Sequence, residues 1–84
     1  MPYIKQDRRD EMDDKENAYG DPITVGELNY KLTMTCLNYL NDKLSYQKLN
    51  DVLGALEGCK LEFYRRVVGP YENQKCHDNG DVYT

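Results

Sequence analysis

An all-α fold is predicted by three observations in this 84-residue sequence. Apolar side chains recur at three- and four-residue spacing in two stretches, about 25–41 and 46–68. Each stretch follows a hydroxyl side chain placed to cap a helix, Thr24 and then Ser45. No segment longer than the last few residues shows the period-two alternation of a strand. The expected architecture is an antiparallel helical hairpin, 25–41 against 46–68, with short flanking helices and an extended C-terminal tail. One small helical domain, 1–84, is the ceiling for a chain of this length. Such a chain buries only about 60–65% of its unfolded surface, so its stability is modest or shared with a partner.

Residues 1–22 form an acidic segment poor in apolar side chains. From Asp7 to Glu16, six acidic residues stand against Arg8, Arg9 and Lys15, a net of −3. Asp7 is placed to cap a short helix, with Asp10 and Glu11 near its positive end. Met12 is the one large apolar residue between Lys5 and Asn17, so a helix here has little to bury. The segment is either a marginal helix or a mobile acidic stretch, and Gly20-Asp21-Pro22 ends it.

The first long helix opens on Thr24-Val25-Gly26-Glu27, a capping box in which the Thr24 hydroxyl accepts from the Glu27 amide and the Glu27 carboxylate reaches back. Val25, Leu28, Leu32, Cys36, Tyr39 and Leu40 then make one apolar stripe, ending near Asn41 or Asp42. The second helix, from Tyr46, carries Leu49, Val52, Leu53, Leu56, Phe63 and Val67 on one stripe and Leu61, Tyr64 and Val68 on another. Two apolar faces imply more than one packing partner, a second subunit among them. Gly54 and Gly58 weaken this helix by about 0.8–1 kcal/mol each relative to alanine, which either close approach or plain tolerance would explain. Gly69-Pro70 is expected to end or kink it, with Pro70 opening a new short helix from Tyr71 to about Asp78. Asn79-Gly80 is a stop, and Asp81–Thr84 reads as extended.

Composition narrows the function classes. A net charge of −4 argues against bulk nucleic-acid binding, and no apolar run approaches a membrane span, so a cytoplasmic protein is expected. Cys36, Cys59 and Cys76 are an odd number without a secretory signal, and read as reduced thiols. They lack zinc spacing, with no CxxC pair and with His77 directly beside Cys76, so no metal and no cofactor is expected. A catalytic set is also missing: His77 has no nucleophile near it in sequence, Ser45 serves as a cap, and Glu57 and Glu62 do not share a helix face. The chain is therefore read as no enzyme. A small hydrolase or metal enzyme using Glu57, Glu62 and His77 is the third alternative.

The sharpest local feature is Lys60-Leu61-Glu62-Phe63-Tyr64-Arg65-Arg66. Its positive charge suits the C-terminal half of a helix, and Glu62 with Arg66 is a favourable i, i+4 pair. The same residues suit an anion, since paired guanidiniums bind phosphate bidentately and a tyrosine face can stack on a base. Tyrosine dominates the aromatic content, eight Tyr to one Phe and no Trp. Tyr39 and Tyr46 occupy core positions of the pattern, whereas Tyr30, Tyr64 and Tyr71 are less obliged by it, and Tyr3 and Tyr83 lie on the termini. The expected ligand-binding residues are Lys60, Tyr64, Arg65, Arg66, Tyr71 and Tyr83. Arg8 and Arg9 form a second basic pair, able to meet Glu62 or Glu72 or a ligand.

The blocks Met1-Pro2-Tyr3-Ile4, Gly26-Glu27-Leu28-Asn29-Tyr30, Leu61-Glu62-Phe63-Tyr64-Arg65-Arg66, Pro70-Tyr71-Glu72 and Asn79-Gly80-Asp81-Val82-Tyr83 span nearly the whole chain. In them the sequence resembles a family of small uncharacterised proteins of bacterial genomes, prophages and bacteriophages. The resemblance carries over no catalytic or binding residue. It implies a setting in which small helical proteins often act by binding. The leading expectation is a non-enzymatic homo-oligomer that counters host defence by sequestering a nucleotide second messenger. The alternative is a protein-interaction inhibitor or structural adaptor that meets a host or phage protein through its acidic segment.

Overall fold

The computed structural model describes residues 3–14 and 20–83. Helices α1 (Gln6–Asp13), α2 (Val25–Leu40), α3 (Tyr46–Phe63) and α4 (Gly69–Asn79) make the chain all-α, with a π-helical turn, Tyr64–Val68, joining α3 to α4. No strand occurs among the described residues. The chain divides into two compact units, Met1–Leu44 and Ser45–Thr84.

In the first unit the capping box forms. The Glu27 amide donates to Thr24 Oγ1 at 3.2 Å, and Glu27 Oε1 reaches back to the Ile23 amide at 3.0 Å. The helix closes on Asn41, whose left-handed backbone (φ 50°) lets its amide donate to the Leu37 carbonyl. In the acidic segment the short helix forms, with a different cap. Gln6–Asp13 is a helix, and Lys5, not Asp7, is its cap residue. Asp7 lies in the first turn, where its carboxylate suits the helix dipole and accepts from the Arg8 amide at 2.9 Å. Met12, the single large apolar residue of the segment, is the most buried side chain described, at 1% exposure. Lys15 and Glu16, assigned to the same acidic stretch, lie outside the described residues, as do Met1 and Pro2.

The core of this unit also lies on a face of α2 that the apolar spacing does not mark. Tyr30 is buried, while Leu28, Leu32 and Tyr39 of the expected stripe are about half exposed. Leu40 is the one residue of that stripe that becomes buried. The reason is that α1 offers mostly polar side chains, so it settles where hydrogen bonds can be made, around Glu27, Tyr30 and Lys31.

In the second unit, Ser45 Oγ accepts from the Lys48 amide at 3.2 Å, as the cap requires. At Gly69-Pro70, where an end or a kink is expected, the helix does not end. α3, the π turn and α4 run on as one helical stretch of 34 residues, so the separate short helix after Pro70 is a continuation. A proline inside an α-helix collides with the carbonyl four residues back and lacks an amide to donate. The π turn widens the helix by one residue at this point, with the Gly69 amide donating to the Tyr64 carbonyl five residues back. Glycine permits this closeness: a Cβ at position 69 would sit 3.3 Å from the Tyr64 oxygen. At Gly54 and Gly58 a Cβ would meet nothing within 4 Å. The helix ends at Gly80, which takes positive φ (91°) and donates its amide to Cys76. Beyond it Val82 and Tyr83 are exposed and non-helical.

Candidate functional site

The residues expected to bind an anion all lie in the second unit. Tyr64, Arg65 and Arg66 begin the π turn, Lys60 precedes it by a turn, and Tyr71 follows it. Successive helical residues are rotated by about 100°, so Tyr64, Arg65 and Arg66 leave the helix on different sides. What draws the two guanidiniums together is Glu62. Arg65 Nη2 donates to both of its carboxylate oxygens, at 2.8 and 2.7 Å, and Arg66 Nε donates to Oε1. Lys60 lies 3.8 Å from Glu57, a loose surface pair. The Tyr64 hydroxyl donates to Glu72 Oε1 at 2.6 Å, and that bond to an anion raises the pKa of the phenol. Lys75 sits 5.5 Å over the Tyr71 ring. Tyr83 is almost fully exposed on the tail.

The cluster is thus a set of exposed side chains that, apart from Tyr83 on the tail, are engaged along their own helical stretch. Glu57, Glu62 and His77, the residues of the enzyme alternative, are placed on the same helical stretch, with His77 3.5 Å from Asp78. Among the described residues no three His, Cys, Asp or Glu side chains converge on a point. Cys36 is half-buried, and Cys59 and Cys76 are exposed free thiols.

The denser constellation is in the first unit, and the sequence pattern did not single it out. Arg8 is its hub. Its guanidinium donates to Glu27 Oε1 at 2.8 Å, to Glu11 Oε2 at 3.0 Å and to the Asp21 carbonyl at 2.7 Å. The Arg8 bond and the Ile23 amide hold the Glu27 carboxyl below its ordinary pKa, and Arg8 is raised in turn. Arg9 donates to the Ile4 carbonyl at 2.8 Å and lies 5.7 Å over the Tyr30 ring. The Tyr30 hydroxyl donates to Asp13 Oδ2 at 2.7 Å, and desolvation, followed by that bond, raises its pKa. Lys31 Nζ donates to the Met12 carbonyl, an orphan acceptor in the last turn of α1. Beside these groups an open cleft of about 430 Å³ is lined by Asp13, Asp14, Asp21, Lys31 and Met34 among others. Two cues to this face were present. Glu27 is a carboxylate whose cap oxygen can accept a second bond, as Oε1 does from Arg8 beside the Ile23 amide, and Tyr30 stands one turn after it.

These features define a small helical protein with a polar network in one unit and a long, exposed amphipathic helix in the other. The chain belongs to the family described as a domain of unknown function, DUF6899, whose model matches residues 1–82. No curated protein and no solved structure matches it. No helix among the described residues is long and apolar enough to cross a membrane.

Proposed function

We propose that this chain is a non-enzymatic, cytoplasmic protein-interaction module, a helical adaptor or inhibitor that works as a homo-oligomer in a phage-type setting. One observation carries the reading: the apolar stripes lie open. Of the described hydrophobic side chains only Met12, Tyr30 and Leu40 are buried, whereas Leu28, Leu32 and Tyr39 on α2 are 45–51% exposed. An extended apolar surface of this kind marks an interaction site. Its surroundings state the partner's chemistry. Residues 1–44 hold nine acidic against six basic side chains, a net of −3, so the first unit suits a protein surface that is apolar and basic.

The test is a Leu28→Glu/Leu32→Glu variant of the full chain, compared with wild type in cells that naturally express it. A defined complex, recovered in fixed stoichiometry with wild type and with Arg65→Ala/Arg66→Ala, should be lost in the α2 variant. A complex indifferent to the α2 change, or none at all, removes the proposal.

Nucleotide sequestration is the second reading, favoured by one observation. Arg65 and Arg66 are held at a single exposed carboxylate, so a phosphate displacing Glu62 would meet both guanidiniums. Lys60, Tyr64, Tyr71 and Tyr83 would then have to be gathered around the ligand by a second subunit.

A further inference from the structure

The helical stretch from Tyr46 to Asn79 is about 50 Å long and has no buried side chain. Leu49, Val52, Leu56, Cys59 and Phe63 follow one another at intervals of three, four, three and four. That is the seam of a coiled coil, in which alternate three- and four-residue steps keep apolar side chains facing a partner helix. In an unbroken α-helix the next two positions are Arg66 and Pro70, a charge and a residue without an amide. The π turn changes this. Its one extra residue, inserted over Tyr64–Val68, shifts the following turns so that Val67 and Tyr71 take those positions instead. The turn that accommodates Pro70 therefore also extends the apolar seam by two layers.

Resting on the interaction reading above, we infer that this seam binds a second copy of the same chain, helix against antiparallel helix. Surface area supports a pair of copies. Leu49 and Leu56 are each 39% exposed, Phe63 58%, Val67 52% and Tyr71 64%. With their neighbours they present on the order of 600 Å², close to the ~800 Å² that each partner contributes to a standard interface. Charge supplies the orientation. Over 46–62, Asp51, Glu57 and Glu62 outnumber Lys48 and Lys60, a net of −1. Over 63–79, Arg65, Arg66 and Lys75 outnumber Glu72 and Asp78, a net of +1 with His77 neutral. Antiparallel copies bring opposite halves together, and their helix dipoles oppose; parallel copies align like with like.

Sedimentation equilibrium of the full chain should give twice the 9.8 kDa protomer mass. Phe63→Glu, on the seam, should shift the protein to monomer, with dimer affinity reduced at least tenfold. Leu61→Glu, equally exposed but off the seam, should leave the dimer in place. Amine cross-linking of mixed isotope-labelled copies should join Lys48 of one copy to Lys75 of the other. Within one helix those lysines are ~40 Å apart, beyond an ordinary cross-linker's reach. A monomeric wild type, equal effects of the two substitutions, or Lys48–Lys48 links in place of Lys48–Lys75 links would each overturn the inference. The two proposals fail separately. A monomer that still captures its partner through α2 removes the seam, and the homo-oligomer with it, but leaves the interaction through α2; a dimer whose captured protein ignores the α2 variant removes only the interaction reading.

Discussion

In the first unit, side chains reach from one helix to another: Arg8 to Glu27, Tyr30 to Asp13, Lys31 to the Met12 carbonyl. In the second they reach along their own helix, from Gln47 to Asp51, Glu62 to Arg65 and Arg66, and Gln74 to Asp78. Among the described residues all three buried hydrophobic side chains, Met12, Tyr30 and Leu40, belong to the first. The contrast inverts the usual expectation from composition. The segment poor in apolar residues builds tertiary structure, because its long polar side chains find partners three or more turns away in sequence. The segment rich in them builds a helix whose apolar side chains stay largely exposed. Local pairs worth about 0.2–0.5 kcal/mol each hold such a helix only weakly, so covering its apolar face would stabilise it.

The largest expected effect comes from removing the side chain around which the first unit closes. Met12→Ala should cost about 2–4 kcal/mol, a large share of what an 84-residue chain has, since a fully buried methionine leaves both lost contacts and a cavity. Amide hydrogen exchange locates the loss: protection in α2 should fall while α3 and α4 keep theirs. If α3 loses protection equally, the two units are one cooperative structure and the contrast between them breaks.

A smaller effect, confined to acid, should follow from Glu27→Gln. The Glu27 carboxyl titrates below its ordinary value because Arg8 and the Ile23 amide favour its charged form. A depressed carboxyl contributes stability that is present above its unfolded pKa, about 4.3, and lost as pH falls through the lower folded value. Wild-type helicity in the first unit should therefore decline below about pH 4, as seen by circular dichroism and residue-resolved exchange. Glu27→Gln should be weaker at neutral pH and show less of this acid loss. Tyr30 works in the opposite direction. Its raised pKa means that its contribution is intact below about 10 and lost as pH rises beyond that. An unchanged acid profile in Glu27→Gln would mean that the Arg8 hub does not join α1 to α2.

How far these features were legible in sequence follows the same division. Caps at Thr24 and Ser45 were readable because each needs only residues within one turn of the other. The class was readable because helical spacing is a local property. Burial was not. Tyr39 and Tyr46 stand at core spacing yet are 51% and 88% exposed, while Tyr30, outside the stripe, is buried by a helix whose attraction is polar. Spacing records where apolar side chains lie and is silent on which face a partner chooses. Gly69-Pro70 misled for a related reason: proline rules apply to a regular helix, and a single inserted residue relaxes them. At the arginine cluster the sequence did mark the i, i+4 pair of Glu62 and Arg66; the additional bidentate hold on Arg65 required side-chain geometry.

The smallest change in stability, and the one that most sharpens the meaning of the second unit, is expected from Glu62→Gln. The amide keeps the shape of the side chain and removes its charge, so the helix should lose no more than about 0.2–0.5 kcal/mol for each pair. Its effect on a ligand points the other way. In wild type an incoming phosphate competes with the Glu62 carboxylate for both guanidiniums, and in the variant that competitor is gone. Calorimetry with cyclic oligonucleotides should then show tighter binding to Glu62→Gln than to wild type, and none to Arg65→Ala/Arg66→Ala. If neither wild type nor Glu62→Gln takes up any of them, the arginines serve the helix that carries them, and the exposed seam beside them is what the second unit offers to other molecules.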